Sequence, residues 1–96
     1  MPTYALTAQF KGDWAALSID DQKRFRTAVA KFVADLKADR GFRPGLRVKG
    51  IQGAPGVFEM TWAPDERATF EYGTTVGKGA HIIWRRIGRH AILARP

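Results

Sequence analysis

Residues 57–72 read VFEMTWAPDERATFEY, two runs of alternating character joined by a turn. In Val57 to Ala63, Phe58, Met60 and Trp62 fall on one side. In Arg67 to Tyr72, Ala68, Phe70 and Tyr72 fall one way and Arg67, Thr69 and Glu71 the other. Pro64-Asp65-Glu66 is a tight turn between them, so the stretch predicts an antiparallel hairpin with one apolar and one polar face. Such a face needs a cover, and the rest of the chain supplies it.

The cover is upstream. Ser18 offers a hydroxyl N-cap with Asp21 three residues later, and Asp20 and Asp21 put negative charge at the positive end of the helix dipole. From Gln22 to about Ala38, Phe25, Ala28, Val29, Phe32, Val33 and Leu36 form one stripe, with Lys23, Arg24, Arg26, Lys31 and Lys37 around it. This predicts a long helix packed on the sheet. Tyr4 to Phe10 alternates like a first strand, and Phe10, Trp14 and Leu17 share one face of a short helical stretch around Asp13 to Leu17.

Asp39 to Gly45 is a connection rich in turn formers. Leu46-Arg47-Val48-Lys49 alternates as a strand, Gly50 to Gly56 is a loop, and His81 to Ile87 is a strand. Gly88 permits a kink or bulge, and Arg89 to Leu93 continues the strand. The expected fold is therefore α+β: strand, helix, helix, then a three- to four-stranded, mostly antiparallel sheet with helices on one face. Gly73 to Gly79 is glycine-rich, yet Lys78 is followed by Gly79 and another strand, so a hairpin loop is expected there and not a phosphate loop.

Ninety-six residues make one domain, residues 1–96. With no cysteine, thiol catalysis, disulfides and thiolate zinc sites are excluded, which points to a reducing, cytoplasmic setting. No apolar run approaches the roughly 18 residues that span a bilayer, and Met1-Pro2-Thr3-Tyr4 lacks the pattern of a secretion signal, so no membrane role is expected. The formal charge is +7, and it is uneven: residues 1–39 balance at +1 and residues 40–96 at +6, with eight Arg among the ten cations of the second part. Arginine's fork matches phosphate oxygens, so a polyanionic partner is favoured over a merely solubilising surface.

On the face away from the helices, period two aligns Arg47 and Lys49, Glu59 and Thr61, Arg67, Thr69 and Glu71, and one of Arg85 and Arg86. The reading leans to Arg86, with Arg85 at the edge. His90 follows Arg89 beside these cations and can act as acid or base near neutrality. Two histidines without Cys or carboxylate spacing form no recognisable metal site, and Ser18, the single serine, is already a helix cap. A cluster of Arg, Lys and one His can hold a phosphodiester, stabilise its developing charge and move a proton. RNA supplies its own nucleophile as the 2′-OH, and the reaction needs no cofactor.

The layout, with Leu46-Arg47-Val48-Lys49, Gly56-Val57-Phe58-Glu59-Met60-Thr61-Trp62, Arg67-Ala68-Thr69-Phe70 and Trp84-Arg85-Arg86-Ile87-Gly88-Arg89-His90, resembles the RelE/ParE toxin superfamily over nearly the whole chain. The Arg-Val-Lys strand and the Gly-Arg-His end are similar to its RelE-like ribonuclease branch, and the Phe-Glu-Met-Thr-Trp segment followed by Arg67 to its HigB-like variant. The resemblance implies a type II toxin, an endoribonuclease that cleaves mRNA, often at the ribosome, and is neutralised by an acidic antitoxin. It implies that Arg47 and Lys49 grip the RNA backbone, with Arg86 as a weaker match; Arg85 joins them as a candidate RNA contact from the strand reading alone. Arg67 would stabilise the phosphate, and Arg89-His90 would form the final pair, with His90 moving protons.

Several ribonuclease members carry a tyrosine near the carboxy terminus, whereas Ala91-Ile92-Leu93 follow His90 here. Glu59 as base with His90 as acid, or His90 in both roles, stay open. The runner-up is a ParE-like toxin that binds DNA gyrase and cuts nothing. A non-catalytic RNA- or DNA-binding module comes third, because Trp14, Phe58 and Trp62 belong to core stripes and are not free to stack on bases.

Overall fold

The computed structural model describes residues 2–74 and 79–96; the middle of the expected glycine-rich loop, 75–78 with Lys78, lies outside the described residues. Strand β1 (Thr3–Leu6) is followed by α1 (Ala8–Ala16) and α2 (Ile19–Ala38), then β2 (Lys49–Ile51), β3 (Ala54–Ala63), β4 (Glu66–Tyr72) and β5 (His81–Arg89). The five strands form one sheet in the order β1-β5-β4-β3-β2. Only the β1–β5 pair is parallel, so the sheet is mostly antiparallel as expected, with the first strand added at its edge.

Helix α2 follows its sequence signals. Ser18 Oγ accepts from the Asp21 N–H at 3.1 Å, and the helix ends at Asp39 in the left-handed region, φ 54°. Phe25, Ala28 and Phe32 are buried along its inner face. Phe32 meets Phe70 and Trp84 at ring-centroid distances of 5.0 and 5.2 Å, and Phe25 meets Trp62 and Trp84 at 5.9 and 5.3 Å.

Five expectations are corrected, the last two of them in β5. The strand expected over Tyr4–Phe10 ends at Leu6, because Thr7 Oγ1 accepts from the Phe10 N–H at 3.0 Å and starts α1, which turns Phe10 into the core. The strand expected over Leu46–Lys49 is displaced: Pro44 opens a 3-10 turn (Pro44–Leu46) that buries Leu46 and leaves Arg47 in the left-handed region, φ 47°. Arg47 therefore stands outside the ladder, and β2 begins at Lys49. The expected loop Gly50–Gly56 shrinks to a turn at Gln52 and Gly53, with strand on both sides.

The last two corrections concern β5. The irregularity lies at Arg85 and not at Gly88: Thr69 pairs with Arg86 and Phe70 with Trp84, so Arg85 is the extra residue of a bulge. Past Arg89 the chain leaves the sheet in a 3-10 turn (His90–Ala94) instead of continuing as strand. The His90 N–H donates to the Asp65 carbonyl at 3.0 Å, and Ile92 packs where Gly88 has no side chain; a Cβ there would lie 3.1 Å from Ile92 Cγ2. The turn folds back over the face away from the helices, where the Pro96 main-chain oxygen accepts from Thr69 Oγ1 at 3.0 Å and from Arg85 Nε at 3.1 Å.

Phe32 is 1% exposed and touches the rings of Phe70 in β4 and Trp84 in β5, so Phe32→Ala opens a cavity in the core. Chemical denaturation is expected to show a loss of about 3–5 kcal/mol. A loss within that of a surface substitution would mean that α2 is not held by this contact.

Candidate functional site

The register of the sheet builds the site. Lys49 pairs with Glu59, Glu59 with Thr69 and Thr69 with Arg86, so one row crosses four strands on the face away from the helices. In the next row Thr61 pairs with Arg67 and Arg67 with Gly88. Arg67 thus lies diagonal to Glu59 on one side and, on the other, directly opposite a residue two places before His90. Adjacent strands are about 4.8 Å apart, which sets the scale of the cluster.

Glu59 is 7% exposed, the one buried carboxylate of the sheet among the described residues. Its Oε1 lies 3.7 Å from Arg67 Nε, too long for a hydrogen bond but close enough for strong charge attraction in a partly dry setting. Arg67 Nη1 donates to the Glu66 carbonyl at 2.9 Å and to the Pro64 carbonyl at 3.3 Å, which pins the guanidinium against the β3–β4 turn. Lys49 stands beside the carboxylate and is exposed. A carboxylate held against a guanidinium, with an ammonium alongside, can take a proton and neutralise charge developing on a phosphate.

His90 and Arg89 sit at the corner next to this pair. The backbone bond from His90 to Asp65 ties it to the turn from which Arg67 springs, and its side chain is exposed. Arg89 is 80% exposed in its side chain and reaches Glu66 only at 3.9 Å. Burial lifts the Glu66 carboxyl above its ordinary value, Asp21 adds to the rise, and Arg89 works against it.

Arg85 and Arg86 are not free cations. Arg86 turns to Asp13 of α1, with Nε 2.7 Å and Nη2 3.2 Å from the carboxylate, and this bonding raises its pKa. Asp13 also accepts from the Ile87 N–H at 3.2 Å, and Thr7 Oγ1 donates to the Arg85 carbonyl at 2.7 Å. β1 stops at Leu6, and these two side chains of the first helical segment occupy the edge of β5 that it leaves open. Arg85 pairs with Glu71 and with the Pro96 oxygen. The expectation that only one of Arg85 and Arg86 reaches the open face is corrected: the bulge puts both there, Arg85 over Glu71 and Arg86 turned to Asp13 of α1. Asp13 escaped the sequence reading because its partners lie more than 70 residues away.

No model of a known protein family matches the chain, and no curated protein matches it. Solved structures do. A chain of the DinJ–YafQ complex of E. coli aligns with a TM-score of 0.70 at 14% identity, covering 97% of this chain and 98% of its own. The RelB–RelE antitoxin–toxin complex of Methanococcus jannaschii gives 0.62 at 15%, covering 93% of each chain. A copper-bound mutant toxin from Helicobacter pylori gives 0.63 at 17%, covering 95% and 97%.

Because Glu66 binds its proton more tightly folded than unfolded, the protonated form stabilises the fold at low pH, and that contribution is lost as pH rises through the raised value. Glu66→Gln is therefore expected to raise the thermal unfolding midpoint at pH 7 and to match the wild type below about pH 4. A variant that is less stable at pH 7 would show that the Arg89 pair outweighs burial.

Taken together, the strand order, the two helices on one face and the near-complete alignments show that this chain has the RelE-like fold of these bacterial and archaeal toxins.

Proposed function

We propose that the protein is the toxin of a type II toxin–antitoxin pair and an endoribonuclease that cleaves mRNA with its own side chains. The observation that carries the reading is the Glu59–Arg67 pair at 3.7 Å on the sheet face, flanked by Lys49 and by the corner that bears His90. In-line displacement at phosphorus needs a base on the nucleophile's side and an acid on the leaving group's side, with cations between. Arg67 lies between Glu59 and the strand end that carries His90, which is that order.

In this mechanism Glu59 takes the proton of the 2′-OH as the 2′ oxygen bonds to phosphorus. Arg67 and Lys49 hold the non-bridging oxygens, and Arg89 adds positive field from the rim. The bond from phosphorus to the 5′ oxygen breaks, and His90 gives that oxygen its proton. The products are a 2′,3′-cyclic phosphate and a 5′-hydroxyl end. Arg47 on its exposed turn would meet backbone phosphates further along the RNA. Arg86 and Arg85, each paired within the fold, serve to shape the site and do not grip RNA.

The partner in this reading is an acidic antitoxin; the neighbouring DinJ–YafQ and RelB–RelE structures are toxin–antitoxin complexes. A groove of about 430 Å³ between β1, α1 and α2 supports it: Leu6, Trp14 and Val29 give an apolar floor, and Lys11 and Arg26 a basic rim. Tyr4 is 69% exposed beside it, and the Arg26 guanidinium lies 5.3 Å from the Trp14 ring. An amphipathic acidic segment fits that combination. No helix among the described residues is long and apolar enough to cross a membrane, and a cytoplasmic setting belongs to the same proposal.

Expression in a bacterial host, with RNA mapped by primer extension, tests the assignment. Arg67→Ala, Glu59→Gln and His90→Ala are each expected to lower cleavage by about 10²–10⁴-fold and to relieve growth arrest in step. Growth arrest that persists in all three while RNA stays whole would replace the nuclease with a toxin that acts by binding.

A further inference from the structure

Between α2 and the end of β3 lies a cavity of about 480 Å³ that the proposed cleavage chemistry does not use. Arg24 and Lys31 line it from one face of α2, Arg43 enters from the connection to β2, and Trp62 forms part of its wall. The Arg43 guanidinium is already fixed. Its Nε and Nη2 each lie 2.9 Å from Asp35, and its own N–H donates to the same carboxylate, which holds the Asp35 carboxyl below its usual range. The Lys31 ammonium has no ion-pair partner among the described residues.

Trp62 adds a second kind of signal. It is 7% exposed, and its indole N–H is the only fully buried side-chain polar atom without a hydrogen-bond partner among the described residues. That nitrogen is shut off from the cavity itself, so other atoms of the Trp62 ring form the wall and the indole N–H lies close behind it, where it can report on what the cavity holds. Thr61 also lines the cavity, and in the sheet it stands opposite Arg67. β2 covers β3 only as far as the Lys49–Glu59 pair, so beyond Glu59 the outer edge of β3 carries no strand. Thr61 therefore stands between the Glu59–Arg67 pair and the cavity, and a strand of RNA that leaves the open face over this bare edge of β3 reaches the cavity.

We propose that the cavity is a nucleotide subsite, taking the phosphate of a residue that flanks the cleaved linkage on Lys31, while Arg43 and Arg24, held by Asp35 and Asp21 at 2.9 Å, shape its rim. Its role in cleavage rests on the nuclease reading; its affinity for a nucleotide phosphate does not. The indole N–H signal of Trp62, assigned through Trp62→Phe, reports occupancy by NMR. The probes are adenosine 5′-monophosphate, a tetranucleotide RNA blocked by 2′-O-methyl groups, and inorganic sulfate at matched ionic strength.

The nucleotide and the RNA are expected to move that signal saturably, and sulfate is not. Lys31→Ala is expected to weaken nucleotide binding about tenfold, while Lys37→Ala, on the same helix but outside the cavity, leaves it unchanged. A stationary Trp62 signal, an effect of sulfate equal to that of the nucleotide, or indifference to Lys31→Ala overturns the subsite. Nucleotide binding that depends on Lys31, in a protein that leaves unblocked RNA whole, would uphold the subsite and remove the nuclease reading alone.

Discussion

The structure depends on one packing contact, the wedge of Phe25 and Phe32 from α2 between the rings of Trp62, Phe70 and Trp84. Strand side chains alternate, so anchoring Trp62 and Phe70 against the helix obliges Glu59, Arg67 and Thr69 to face the other way. The placement of these polar side chains on the far face follows from the core. Glu59 and Arg67 are then brought together by cross-strand register, and the Pro64 and Glu66 carbonyls at the β3–β4 turn fix the Arg67 guanidinium. A site carried on paired strands of a packed sheet holds its geometry better than one carried on loops.

Much of this was legible because it is local. The Ser18 cap, the stripe from Phe25 to Leu36 and the alternation of 57–72 are short-range patterns with one physical solution, and α2, β3 and β4 form where those patterns lie. What escaped was set by groups distant in sequence. Strand alternation gave no answer between Arg85 and Arg86, because a bulge adds one residue at that point and lets both Trp84 and Ile87 reach the core. Arg47 left its expected strand because Leu46 finds a buried place that a 3-10 turn reaches and a strand would not.

The charge count needs the same correction. The excess of arginine in the second part of the chain suggested a broad basic trough, yet Arg85, Arg86 and Arg43 each have a carboxylate close by. A guanidinium already forked onto Asp13 or Asp35 is held within the fold, and its charge is largely neutralised towards an incoming phosphate. The 3-10 turn after β5 narrows the open face further by placing Ile92 and the main chain of 95–96 over Gly88, Thr69 and Arg85. What remains is a compact cluster of Lys49, Glu59 and Arg67 at one end of the sheet, with Arg89 and His90 beside it and Arg47 on the exposed turn before β2.

In the proposed function this cluster directs an RNA's own hydroxyl at its neighbouring phosphorus. The most direct measurement uses purified protein and one RNA made in two forms, identical except for a single 2′-deoxy residue at the cleavage point. The first form is expected to yield a 2′,3′-cyclic phosphate and a 5′-hydroxyl, with the second left intact at that linkage. Cleavage of the deoxy form at the same linkage and a comparable rate would contradict the proposed function.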